Sequence, residues 1–165
     1  MKRTVTLGFL LAVAMILSYV ESLIPFSIGI PGMKLGLPNL VVVLLLYLYG
    51  SREALLVNTT RIVLSGLLFS NLYTVVYSMA GALCSFGVML LLKRTGKFSI
   101  IGVSIGGGVF HNMGQLLLAM LVVETYAVSF YLPYLMLAGM ITGFFIGIAG
   151  RHLMPYLKKL IEKMK

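Results

Sequence analysis

The chain has 165 residues, of which 60% are apolar and only 10% carry charge. Soluble domains carry charge on about a quarter of their residues, so this composition, with a mean hydropathy of +1.06, predicts one integral membrane domain over residues 1–165. All four acidic residues are glutamates, which excludes enzymes that hold magnesium on aspartate clusters. The lone Cys84 excludes a disulfide within one chain.

The net charge of +9 would suit a nucleic-acid-binding protein, but the basic residues stand in short clusters between apolar runs. Such clusters are typical of the cytoplasmic loops of membrane proteins that cross the bilayer several times. We therefore expect contact with membrane lipids and no nucleic-acid partner.

The first half of the chain contains four predicted spans. The first, residues 5–24, is longer than the apolar part of a signal peptide, so we interpret it as a retained helix. Prolines and glycines in Pro25–Pro38 prevent a continuous helix and predict an ordered or re-entrant loop. The remaining spans of this half cover residues 38–50, 54–70 and 72–92. The first of these three is short, because a crossing needs about 20 residues.

The second half contains two further predicted spans, residues 99–123 and 130–150. In the tail, residues 153–165, apolar residues recur at helical spacing between lysines, which predicts an amphipathic helix at the membrane interface. The sequence therefore predicts an all-α bundle of six transmembrane helices. The second and third spans either cross fully or are partial helices.

Six crossings would place both termini on the same side of the membrane. They would also place eleven of the 13 Lys and Arg residues on that side, with Lys34 alone opposite and Arg61 buried. Since basic residues concentrate in cytoplasmic loops, we expect both termini to be cytoplasmic.

Small residues recur at helical spacing on two spans. Gly139, Gly143 and Gly147 form overlapping GxxxG units on the sixth span, and Ala14 and Ser18 share a face of the first. Such stripes let helix backbones approach closely in lipid. They serve either packing inside the bundle or docking of a partner subunit.

A charged or polar side chain at membrane depth is costly unless it has a partner, about 3 kcal/mol for a central charge on insertion scales. Arg61, with Asn58 one turn earlier, would be neutralised by Glu21 or Glu53, or would bind an anionic substrate.

Three polar residues cluster in the fifth span. His111 and Gln115 share a helix face, and Asn112 lies beside them. They form either interhelical hydrogen bonds or a row that binds a ligand, whereas no carboxylate spacing supports a metal site.

The loop before the second span carries Lys34 on the side that otherwise lacks basic residues. An exposed loop lysine is one interpretation. The other is a ligand-binding role, because irregular backbone at membrane depth must be buried in protein or line a cavity. We predict one substrate pocket, roofed by this loop, formed by Lys34, Asn39, Arg61, His111, Asn112 and Gln115.

Several motifs of soluble enzymes are absent. There is no GxxxxGK[ST] run to bind a nucleotide, and no Ser/His/Asp triad is possible without aspartate. We expect neither catalytic residues nor a cofactor.

A family resemblance rests on Arg61 and on the runs PGMKLGLPN (residues 31–39) and GGGVFHNMGQ (residues 106–115). The chain resembles the bacterial family labelled heptaprenyl diphosphate synthase component I, also called the Gx transporter family. That family is similar to the substrate-binding S components of energy-coupling factor (ECF) transporters. The resemblance implies a six-helix protein of the bacterial cell membrane with a capped, outward-facing pocket. It also implies a transmembrane scaffold subunit, docked at Ala14 and Ser18, and a pair of ATPases as partners.

Three functions are compatible with these features. The leading hypothesis is a non-enzymatic subunit of an uptake transporter that binds a small anionic or amphipathic solute. The second is an accessory membrane subunit of polyprenyl diphosphate or quinone biosynthesis. A purely structural subunit would leave Lys34, Arg61 and His111 without a purpose.

Overall fold

A computed structural model describes residues 2–23, 36–124 and 126–163, and within these ranges every regular element is a helix. A short 3₁₀ helix, Tyr126–Tyr131, precedes the last α-helix. The α-helices are α1 (Lys2–Leu23), α2 (Asn39–Leu48), α3 (Ser51–Phe69), α4 (Leu72–Arg94), α5 (Ile100–Val123) and α6 (Leu132–Lys163). The all-α prediction is confirmed for this part of the chain.

Four of these helices, α1, α4, α5 and α6, are long and apolar enough to cross a membrane. Helix α2 has 10 residues, about 15 Å of helix against a hydrocarbon core of about 30 Å. Helix α3 has 19 residues, but its charged and polar residues leave it outside this group. The four long apolar helices identify the chain as a membrane protein. Six crossings remain a prediction.

Basic side chains gather three parts of the chain at one end of the bundle, called here the basic end. Arg3, in the first turn of α1, forms an ion pair with Glu53 and lies 5.9 Å from the centre of the Tyr49 ring. Lys93, near the end of α4, donates a hydrogen bond to the carbonyl of Leu46. The start of α1, the α2–α3 turn and the end of α4 therefore lie together.

The turn between α2 and α3 depends on Gly50, whose φ is 107°. Side chains other than glycine's are strained at this φ. The spans predicted over 38–50 and 54–70 are consequently two helices separated by only Tyr49 and Gly50.

Helix α2 is enclosed by protein. Its residues Val41–Leu46 are each no more than 3% exposed, and the helix contacts α1, α3 and α6. A helix that is apolar on all sides is stable when it is buried on all sides. Within the described ranges, α2 is therefore a core helix although it is too short to span a bilayer.

Helix α6 runs unbroken from Leu132 to Lys163, which corrects the prediction that a separate tail helix follows residue 150. Pro155 lies inside α6 and removes one backbone hydrogen bond, but the helix continues on both sides. The polar His152 also lies inside α6. Its Nδ1 is 2.9 Å from the carbonyl oxygen of Ile148, one turn earlier in the same helix.

The glycine stripe of α6 packs directly on α5. A Cβ added to Gly143 would lie 2.7 Å from the Cα of Ile105, and one added to Gly147 would lie 2.7 Å from the Cα of Ile101. Backbones approach this closely only where side chains are missing. Of the two roles considered for this stripe, packing inside the bundle is the one observed.

We predict that Gly143→Ala destabilises the protein and that Gly8→Ala does not. An added Cβ at Gly143 overlaps α5, whereas nothing lies within 4 Å of one at Gly8. Both changes gain the same helix propensity, so the free energies of unfolding should differ by the overpacking term, about 1–3 kcal/mol. Thermal unfolding in detergent measures this difference, and equal midpoints would contradict the close α5–α6 contact.

Candidate functional site

A pocket lies where the start of α2 meets α4, α5 and α6. Its cavity has a volume of about 20 Å³, which is room for one water molecule, and the pocket is open on one side. Since α2 ends at the basic end, its first turn lies about 15 Å from that end, near the middle of the bundle. The pocket is lined by Gly36, Asn39, Val43, Ser85, Met89, Ser104, Gly107, Gly108, His111, Asn112, Thr142, Gly143 and Ile146.

Three of the predicted site residues line this pocket: Asn39, His111 and Asn112. Asn39 is the first residue of α2, and the other two are neighbours on α5. Asn112 is 7% exposed and donates a hydrogen bond from Nδ2 to the carbonyl of Leu135 in α6, 2.8 Å away. The side chain of Asn112 therefore both joins α5 to α6 and faces the pocket.

Three hydroxyl side chains of the lining were not predicted: Ser85, Ser104 and Thr142. The two serines are buried, and Thr142 donates to the carbonyl of Gly139 at 3.4 Å. Serine and threonine often bond to their own helix backbone in membrane spans. The sequence therefore contains no signal that distinguishes these three pocket residues from the other serines and threonines of the spans.

Gln115 lies apart from the pocket lining, between α4 and α5. It is 2% exposed, and a Cβ added to Gly81 of α4 would lie 2.7 Å from its Cγ. Its Nε2 has no hydrogen-bond acceptor among the described residues. The predicted row of His111, Asn112 and Gln115 is therefore divided between the pocket and the α4–α5 interface.

Arg61 belongs to a second polar group, the Arg61 cluster, formed by Arg61, Asn58, Ser18 and Glu21. Arg61 is 9% exposed. It donates from Nη2 to Asn58 Oδ1 at 2.7 Å and from Nη1 to Ser18 Oγ at 3.4 Å, and Glu21 stabilises its positive charge. Glu53, the other candidate partner, forms its ion pair at the basic end. Arg61 thus has structural partners and is not part of the pocket lining.

Glu21 also connects the Arg61 cluster to the pocket. Its Oε1 accepts a hydrogen bond from the backbone N–H of Gly36, and Gly36 lines the pocket. Gly36 has a φ of 71°, and its carbonyl accepts a hydrogen bond from the Asn39 N–H at 2.8 Å. The turn that begins α2 is therefore held by a carboxylate on α1.

Ala14 and Ser18, which we expect to dock a scaffold subunit, contact other parts of this chain, and their docking role stays a prediction. Ala14 is 1% exposed and lies in the apolar core. Ser18 donates to the Ala14 carbonyl at 2.9 Å and accepts from Arg61 of α3. Helical spacing shows that two residues share a face, but it does not show what that face contacts.

Residues 25–35 of the predicted roof, which include Lys34, lie outside the described residues. Convergence of Lys34 on the same pocket therefore stays a prediction.

We predict opposite effects for the two buried amides of α5. Asn112→Leu removes the hydrogen bond to α6 and should lower the free energy of unfolding by about 0.5–1.5 kcal/mol. Gln115→Met keeps the size of the side chain and removes a donor that has no acceptor among the described residues, so stability should be equal or higher. Unfolding of both variants in the same detergent measures this, and a larger loss for Gln115→Met would show a partner for that amide.

Comparison with known families adds to this geometry. A family model described as heptaprenyl diphosphate synthase component I matches residues 10–153, a range that includes the described pocket and the whole Arg61 cluster. No curated protein and no solved structure matches the chain. Because the matched range covers most of the sequence, the chain belongs to the heptaprenyl diphosphate synthase component I family.

Proposed function

We propose that this protein is a solute-binding membrane subunit of an uptake transporter and has no enzymatic activity of its own. The observation that carries the proposal is the pocket near the middle of the bundle, which is partly open and has a polar lining. The pocket would widen to admit a solute. Polar groups at this depth are typical of substrate or ion sites in membrane proteins.

The lining favours an amphipathic solute whose polar group is uncharged where it meets these residues. Amides, hydroxyls and an imidazole supply donors and acceptors, and Val43, Met89 and Ile146 supply an apolar surface. Among the described residues of the lining there is no Lys, Arg, Asp or Glu. An anionic solute would depend on Lys34, since a buried anion without a paired cation is strongly disfavoured.

Uptake against a gradient would require partners. The sequence contains no P-loop, so energy would come from the transmembrane scaffold and ATPase subunits that the S-component resemblance implies. Ala14, which is buried, and Ser18, which is half-buried and bonded to Arg61, do not serve as the docking surface in this proposal.

We also propose six crossings with both termini cytoplasmic, in a bacterial cell membrane. Helices α1 and α3 run side by side: Arg3 meets Glu53 at the basic end, and the Tyr19 and Phe69 rings lie 5.0 Å apart at the other. The two contacts are about 24 Å apart along each helix. Helix α3 would therefore extend as far across the membrane as this part of α1.

The orientation of α3 supports this proposal as well. Its polar residues Asn58 and Arg61 are buried, while Leu56, Leu64 and Leu67 are exposed. A helix whose exposed face is apolar and whose buried face is polar suits a lipid surrounding. Low mean hydropathy in α3 therefore reflects its interior face.

The second candidate function is an accessory role in polyprenyl diphosphate synthesis, which the description of the matching family names. The chain itself contains no aspartate, so magnesium on a diphosphate would have to be held by a partner enzyme. In this role the pocket would hold the isoprenoid.

The function is tested by identifying what the purified protein retains. Native mass spectrometry of the detergent-solubilised protein should detect a small amphipathic molecule. Thr142→Val should lower its occupancy about fivefold through loss of a pocket hydroxyl. Thr60→Val, the same change on the exposed face of α3, should not. A retained prenyl diphosphate would favour the second function, and equal occupancy in both variants would contradict the pocket.

Cysteine labelling tests the crossings of α3 and α4. In a Cys84→Ser background, we expect Arg52→Cys and Lys97→Cys to react only from the cytoplasmic side and Ser70→Cys only from outside. Reaction of Arg52→Cys and Ser70→Cys from the same side would show that α3 does not cross.

A further inference from the structure

We infer that Glu21 is a positioning residue for the pocket: its carboxylate, which projects from α1, fixes the turn at Gly36. The inference rests on the proposed function only where it treats the pocket as a ligand site. The contacts themselves are independent of any ligand.

Two hydrogen bonds hold Gly36 at the start of the turn before α2. The N–H of Gly36 donates to Glu21 Oε1, and the carbonyl of Gly36 accepts from the N–H of Asn39. Both Gly36 and Asn39 line the pocket. A shift of Gly36 would therefore move the first turn of α2 and the amide side chain of Asn39 with it.

Backbone and side-chain acceptors together hold the turn before α2. At the N-cap, Pro38 makes no side-chain hydrogen bond to the helix. The first three N–H groups of α2 donate instead to the carbonyls three residues earlier, those of Gly36, Leu37 and Pro38. The N–H of Gly36 itself, at the start of this turn, donates to Glu21 on α1.

Glu21 lies near a buried cation, Arg61. Arg61 lies on α3, is 9% exposed, and has its guanidinium fixed by Asn58 and Ser18. The positive charge of Arg61 attracts the carboxylate of Glu21 across the α1–α3 contact. The chain of contacts therefore runs from α3 through α1 to the edge of the pocket.

A pair of double variants separates the hydrogen bond from the charge. Glu21→Gln with Arg61→Gln keeps an acceptor oxygen for the Gly36 N–H, whereas Glu21→Met with Arg61→Gln removes it. Both variants have the same net charge and nearly the same side-chain volumes. Any difference between them therefore reports the acceptor at residue 21.

The main readout is hydrogen–deuterium exchange of the peptide that contains residues 36–40, in detergent and without added ligand. We expect exchange about five- to tenfold faster in the methionine variant than in the glutamine variant, as for loss of one hydrogen bond. Peptides from α5 and α6 should exchange equally in both. Equal exchange of residues 36–40 would overturn the inference, and so would acceleration spread over all helices, which would indicate a purely structural role.

A single variant serves if the methionine variant does not fold. Glu21→Asp keeps the negative charge beside Arg61 but withdraws the carboxylate by one methylene, so exchange of residues 36–40 should again rise while α5 and α6 are unchanged. An unchanged rate at residues 36–40 would overturn the inference.

Retention of the co-purifying molecule distinguishes this inference from the proposed function. Both double variants are compared by native mass spectrometry, and lower retention in the methionine variant would support both ideas. Faster exchange of residues 36–40 with unchanged retention would support the positioning role of Glu21 and contradict a ligand site at this pocket.

Discussion

A polar group inside a membrane-embedded bundle has to find its hydrogen-bond partners within the protein, because lipid offers none. Arg61 illustrates this constraint. It is nearly enclosed. Its two Nη atoms donate to partners on α3 and α1, while its Nε has no acceptor among the described residues. The hydrogen bond from Arg61 on α3 to Ser18 therefore helps to position α1 against α3. Through Glu21, the same requirement reaches the turn at Gly36 and the edge of the pocket.

Close glycine packing and the pocket have a common origin. Gly108 and Gly143 let the backbones of α5 and α6 touch, and both residues also line the pocket. Without side chains there, the helices approach closely on one side and leave space on the other. The polar groups that border this space, Asn112 and Thr142, hydrogen-bond to carbonyls of α6. A substitution at Gly108 or Gly143 should therefore disturb packing and pocket together.

The sequence was sufficient for the features that depend on composition and period. Hydropathy located α1, α4, α5 and most of α6. The GxxxG spacing indicated close packing of α6 but not that its partner is α5. It was insufficient where three-dimensional neighbours decide the outcome. Ala14 lies on a small-residue face, yet only the fold shows that α3 covers that face. The link from Glu21 to Gly36 joins a side chain to a backbone N–H, and no residue pattern encodes such a contact.

The described lining of the pocket has no Lys, Arg, Asp or Glu, and this helps to distinguish the two proposed functions. A diphosphate carries several negative charges, and burying them requires cations or magnesium. The described pocket residues supply neither a cation nor a carboxylate that would hold magnesium, and Arg61 is already committed to Glu21 and its neighbours. A neutral polar group, by contrast, finds amide and hydroxyl partners on four helices, α2, α4, α5 and α6. A diphosphate could be held here only if Lys34 or a partner protein supplied the charge, so the identity of the retained molecule bears directly on which protein completes the site.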